Sequence, residues 1–126
     1  FFFALISKTK MATTTASGME YTIIKAGTGK KPQRGQMVSA DYDGWLQGFN
    51  QGPKFDSSVD RGRRFEFNAG VGKVIKGWDE AIMEMQEGET RQIKLPPSIA
   101  YGAAGAGGVI PPNATLYFTM TLHQCL

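Results

Sequence analysis

Residues 116–122 read Leu-Tyr-Phe-Thr-Met-Thr-Leu. Leu116, Phe118, Met120 and Leu122 alternate with Tyr117, Thr119 and Thr121. Only an extended strand puts every second side chain on one face. A strand so apolar on one side needs partner strands and a covering layer. The chain supplies the partners. Val38, Ala40 and Tyr42 alternate with Ser39, Asp41 and Asp43. Phe65 and Phe67 alternate with Arg64 and Glu66, and Ile93 and Leu95 with Gln92 and Lys94. Tyr21 to Lys25 is a shorter β-rich run, closed by the turn-forming stretch AGTGKKPQRG. One segment has a helical period instead. In KGWDEAIMEMQEGE, Trp78, Ala81, Ile82 and Met85 fall on one face. Asp79 and Glu80 stand in its first turn, where the helix dipole favours anions, and Gly88 supplies a stop. The pattern predicts an α+β domain: four to six antiparallel strands with one short helix covering one face.

A chain of 126 residues is enough for one domain and one core. The net charge of +3 hints at nucleic acid, but Lys8 and Lys10 carry two of those charges. From Met11 onward, 12 of the 14 basic residues face 11 acidic ones, so the domain is nearly neutral. Arg61, Arg63 and Arg64 form the one basic cluster. Asp60 and Glu66 interrupt it, which reads as a solvated edge rather than a phosphate-tracking face. Cys125 and His123 are each the only residue of their kind. That excludes a disulfide framework, a thiolate metal site and any site built on two histidines.

The opening FFFALISKTK is unlike the rest. Its apolar run is too short to span a bilayer and lacks the flanks of a complete signal peptide. It reads as a processing remnant, an expression scar or a partner-binding tail. MATTTASG follows as an ordinary start and a polar linker. The predicted organisation is a tail and linker over 1–17 and a domain over 18–126. The composition suits a soluble protein, with the cytoplasm as default compartment and an organelle such as the plastid as the alternative.

Tyr42, Phe55, Phe65, Phe67, Trp78, Tyr101 and Phe118 form an unusual inward-pointing aromatic set. Phe67 reads as plain core. The tyrosines and Trp78 carry polar tips that need partners, which suits the wall of a concave ligand pocket between sheet and helix. Asp56 follows Phe55 directly. Before Ser-Ser it reads either as a turn cap or as a rim carboxylate held by the Tyr42 hydroxyl and Arg61. After Tyr101 come seven residues of Gly and Ala only, then Val109-Ile110 and Pro111-Pro112. Mobile and rigid elements abut there, as in a shaped loop.

KFDSS, VIKGWDEAI, LPPSIAYG and VIPPNATLYF stand in an order and spacing that resembles the FKBP-type peptidyl-prolyl cis-trans isomerases. The resemblance runs from about Gly18 to Leu122. It implies a five- to six-stranded antiparallel half-barrel wrapped around one short helix. It implies catalytic roles for Tyr42, Phe55, Asp56, Phe65, Trp78, Tyr101 and Phe118. Trp78 would be the floor, and Tyr42, Phe65 and Phe118 the walls. Arg61, Val74, Ile75, Val109 and Ile110 would bind ligand. The Ile75 amide and the Tyr101 hydroxyl would donate to ligand carbonyls, and residues 101–110 would form a flap over the pocket mouth. The implied partners are proline-containing peptides and protein clients, and macrolides such as tacrolimus and rapamycin. No cofactor or metal is implied. Two features depart from the family's pattern. QGFNQGPK before Phe55 is extended and carries Phe49, read as an exposed second contact surface. The flap tip, Ala106-Gly107, lacks bulk. A second reading follows from the first: a binding subunit docked in a larger complex through the tail and the Phe49 loop.

Overall fold

The computed structural model describes residues 12–126, so the tail reading over 1–10 lies outside the described residues. Seven strands form one antiparallel sheet: β1 (Thr13–Thr14), β2 (Glu20–Lys25), β3 (Met37–Trp45), β4 (Lys54–Ser57), β5 (Phe65–Asn68), β6 (Thr90–Leu95) and β7 (Leu116–Cys125). Two helices interrupt them, α1 (Ser58–Arg61) and α2 (Lys76–Glu84), with a short 3-10 turn at Pro97–Ile99. The sheet order is β1-β2-β6-β7-β3-β4, and β5 also pairs with β3. One edge of β3 is therefore shared. Its first half, Met37–Ala40, takes β5, and its second half, Asp43–Trp45, takes β4.

The alternation places the core as the sequence predicts. Val38, Ala40 and Tyr42 of β3 are buried, as are Leu116, Phe118, Met120 and Leu122 of β7 and Ile93 and Leu95 of β6. Against this face lie Trp78, Ala81 and Ile82 of α2, and Met85 just beyond it. Close approach of α2 to the sheet needs Gly77, where an added Cβ would sit 2.5 Å from a methyl of the fully buried Leu95.

Three local readings change. The helix stops at Glu84, four residues before Gly88, because Met85 turns extended (φ −84°, ψ 146°) and buries its side chain in the core. Gly88 sits instead in the turn entering β6, at φ 90°. The residues read as linker fold back: Gly18, at φ 94°, turns the chain so that Thr13 and Thr14 pair with Tyr21 and Glu20. Phe49 is half-buried, its ring edge-on to Tyr117 at 5.3 Å, so it is not a free contact surface. Asn50 and Gly52, at φ 59° and 70°, bend the loop back far enough for that contact. Among the described residues no helix is long and apolar enough to cross a membrane.

Candidate functional site

Between the open end of the sheet and the start of α2 lies a pocket of about 300 Å³. Tyr42 reaches it from β3, Phe55 and Asp56 from β4, Phe65 from β5 and Phe118 from β7. Trp78 enters from α2, Val74 and Ile75 from the chain leading into α2, and Tyr101 from the chain after the 3-10 turn. Strand alternation and register bring Tyr42, Asp56, Phe65 and Phe118 to one face, a register shift in β4 adds the neighbouring Phe55, and the helical period adds Trp78. The rings meet edge to face: Tyr42 with Trp78 at 4.7 Å, Trp78 with Phe118 at 5.2 Å, Phe55 with Phe118 at 5.6 Å and Tyr42 with Phe65 at 6.0 Å. Such pairs hold one another's orientation and keep the walls rigid. Phe67 stacks behind Phe65 and belongs to the core. Trp78 is buried, yet its indole N–H has no partner among the described residues. A wall chosen for packing alone would avoid that cost.

Gly44 of β3 lies against the rings of Phe55 and Phe118. An added Cβ there would lie 2.7 Å from the Phe55 ring and 3.0 Å from the Phe118 ring. The glycine lets these two rings close over β3.

The rim is a charged network. The Tyr42 hydroxyl donates to Asp56 Oδ2 at 2.6 Å, and Arg61 Nη2 donates to the same hydroxyl at 3.0 Å. Arg61 Nη1 pairs with Asp56 Oδ1, which also accepts the Ser57 amide at 2.9 Å. Asp56 itself stands in β4. The cap of α1 is Ser57, whose Oγ accepts from the Asp60 amide at 3.0 Å. The sequence left turn cap and rim carboxylate open for Asp56. The geometry divides them between neighbours. Serine donors moor α1 to β3: Ser57 Oγ donates to Asp43 at 2.5 Å and Ser58 Oγ to Asp41 at 2.7 Å. Arg61 therefore projects from an anchored turn.

Burial pulls the Asp56 carboxyl upward, but the Tyr42 hydroxyl, Arg61 and the Ser57 amide outweigh it and hold it below the ordinary value. Burial pushes the Tyr42 phenol up, so it stays a neutral donor. A depressed carboxylate stabilises the fold above its unfolded pKa, near 4, and that contribution fades as pH falls through the lower folded value. Asp56 is thus ionised throughout the mildly acidic and neutral range. Asp56→Asn should keep much of the isomerase rate, and the wild-type rate should stay flat from about pH 5 to neutrality. A rate that climbs with a single carboxylate titration in a proline-peptide assay would make Asp56 a base instead.

Ile75 flanks the start of α2 with φ −59° and ψ 151°, and its side chain makes no capping hydrogen bond. The first-turn Asp79 turns away to accept the Gly70 and Gly72 amides at 3.0 and 2.8 Å. That fixes the loop carrying Val74 and Ile75 while leaving the first amides of the helix uncapped by side chains. Lys73 also lines the pocket. Nothing in its local sequence signalled it, because only the loop's path brings it there.

A second recess of about 360 Å³ adjoins the pocket through Phe55, Asp56 and Tyr101, and continues along Ala106, Gly107, Val109 and Ile110. Here the flap is a miniature hairpin. Ala106 and Ile110 exchange both backbone hydrogen bonds, at 2.9 and 3.0 Å. Gly107 and Gly108 turn it at φ 47° and 73°, the positive-φ pair of a tight hairpin turn. Its base is closed by the Asn113 amide donating to Gly102 O at 2.8 Å. Both Val109 and Ile110 line the recess, Val109 exposed and Ile110 buried into the core as well.

A family profile described as FKBP-type peptidyl-prolyl cis-trans isomerase matches residues 28–123. The chain is 50% identical over 105 residues to FK506-binding protein 1 of Dictyostelium discoideum, covering 83% of this chain and 95% of that one. It is 49% identical over 109 residues to FK506-binding protein 1 of Gibberella zeae, covering 85% and 97%. The crystal structure of AtFKBP13 superposes with a TM-score of 0.83 at 35% identity, over 92% of this chain and 99% of that one. FkpA from Escherichia coli superposes with a TM-score of 0.81 at 34% identity, over 98% of this chain and 55% of its own. Profile, relatives and fold agree across most of the sequence, and the chain belongs to the FKBP-type peptidyl-prolyl cis-trans isomerases.

Proposed function

We propose that the pocket between α2 and the sheet accelerates rotation about X–Pro bonds in protein clients by non-covalent stabilisation of the twisted amide. The aromatic enclosure of Tyr42, Phe65, Trp78 and Phe118 carries this reading. Rotation faces a barrier of roughly 18–20 kcal/mol because it breaks amide resonance. It needs no proton transfer and no nucleophile. The twisted amide has a more ketone-like carbonyl and is less dipolar than the planar one. A dry apolar enclosure therefore binds it better than the ground state, which is the condition for catalysis. The rings grip the prolyl side. The Ile75 amide at the head of α2 and the Tyr101 hydroxyl hold the carbonyls on either side. Asp56, fixed by Tyr42 and Arg61, organises the rim.

The same pocket accepts a proline-mimicking macrolide such as tacrolimus or rapamycin. The test uses the two tryptophans. Trp45 is buried in β3 and does not line the pocket, so a Trp45→Phe background leaves Trp78 as the reporter. Its emission should shift on saturation with rapamycin, and a proline-peptide isomerase assay should lose turnover in parallel. Unchanged emission with unchanged turnover would overturn the pocket assignment.

A further inference from the structure

Two charged side chains line the aromatic pocket, Asp56 and Lys73. They differ in what they already hold. Asp56 is paired with Arg61 and accepts hydrogen bonds from Tyr42 and the Ser57 amide. Lys73 is exposed and has no ion pair among the described residues. Its ammonium is therefore the uncompensated charge of the pocket wall. The backbone that carries it is moored, because the Asp79 carboxylate accepts the Gly70 amide on one oxygen and the Gly72 amide on the other. The two charges also stand in different places. Phe55, Asp56 and Tyr101 line both the pocket and the recess along the flap, whereas Lys73, Val74 and Ile75 line the pocket alone.

Resting on the isomerase reading, we infer that Lys73 is a specificity-determining residue that favours clients with Asp or Glu beside the proline, on the flank away from the recess. A chain whose prolyl ring sits among Tyr42, Phe65, Trp78 and Phe118 has two flanks. The recess takes one of them, past the Asp56 carboxylate and then Ala106, Val109 and Ile110. The other passes Ile75, Val74 and Lys73. Lys73 stands two residues before Ile75, whose amide holds the client carbonyl in the proposed binding mode. An extended client rises about 3.3 Å per residue, a range that a flexible lysine stem can follow. An ammonium is a compact point charge, so it selects by sign rather than by shape. At an exposed wall such a pair changes association and selectivity more than chemistry.

The test uses end-blocked proline peptides with Glu, Gln or Lys one or two positions before the proline, and the same set after it. Isomerisation is followed by NMR exchange. On one flank only, kcat/KM should fall in the order Glu, Gln, Lys, with Glu about two- to fivefold above Gln at low salt. That ratio should approach one near 0.5 M salt, where exposed charges are screened over about 4 Å. Lys73→Gln should flatten the order and Lys73→Glu should reverse it. Each ratio is taken within one protein, so a change in overall turnover cancels. Lys76 is the control: it is exposed and without an ion pair among the described residues, but does not line the pocket. Lys76→Gln should keep the wild-type order. Turnover of the Gln peptides with a flat order on both flanks would overturn the role of Lys73 and leave the isomerase reading standing. So would an equal order on both flanks, or an equal loss of it in Lys73→Gln and Lys76→Gln. No turnover of any peptide by wild type would overturn both readings.

Discussion

Phe118→Ala should destabilise the protein by about 3–5 kcal/mol, the usual cost of emptying an aromatic site in a core, and remove most isomerase turnover. Phe118 is 3% exposed and touches Tyr42, Phe55 and Trp78 edge to face. Truncation leaves those rings without a common neighbour at the centre of the pocket. Urea titration gives the stability loss. Phe118→Leu separates packing from wall chemistry. It should recover much of the stability, because volume is largely kept. Turnover should recover less, because a branched aliphatic cannot present the flat wall. Equal recovery of both would show that Phe118 acts through packing alone.

Gly105→Ala should be the most damaging single change in the flap, and Gly107→Ala a mild one. Both glycines have positive φ, 66° and 47°. Ala tolerates that at a cost of roughly 1–2 kcal/mol. They differ in surroundings. A Cβ at Gly107 meets nothing within 4 Å, while one at Gly105 would sit 2.3 Å from the Ile110 carbonyl oxygen and 2.9 Å from Pro111 C. Backbone atoms cannot step aside as a side-chain end can. The Ala106–Ile110 pairing must open, and Ile110, 5% exposed, must leave the core. Such overpacking adds about 1–3 kcal/mol. Amide hydrogen exchange should show lost protection at Ala106 and Ile110 in Gly105→Ala only, with turnover falling alongside. Matching exchange in the two variants would mean that the flap hairpin does not hold the geometry described.

What was legible in the chain follows from period. Strand alternation and the single helical face depend on neighbours in sequence, so the core face and the inward aromatics Tyr42, Phe65, Phe67, Trp78 and Phe118 could be read directly, whereas Tyr101, read as inward, is 42% exposed and lies outside every strand. The rim network was read in part: Asp56 beside Phe55 suggested a carboxylate, but the division of labour with Ser57 depends on where β4 ends and α1 begins. A four-residue helix has too little period to declare itself. Lys73 and the Phe49–Tyr117 contact were hidden for a different reason. Each is made by the path of a loop, and loop paths are set by tertiary closure rather than local pattern.

The sheet order has a consequence for how the protein is made. β7 follows every other strand in the chain but lies in the middle of the sheet, between β6 and β3. Without it the remaining strands fall into two unconnected ribbons, β1-β2-β6 and β3-β4-β5, each with an apolar face and no partner. A ribosome that has released residues up to 115 therefore holds two halves, not a nearly finished domain. Pairing of β3 with β7 spans some of the longest sequence separations in the fold, Val38 to Cys125 among them, which slows closure. The nascent chain is exposed until β7 clears the exit tunnel. A member of a prolyl isomerase family can thus itself complete its sheet only after its own synthesis has passed residue 125.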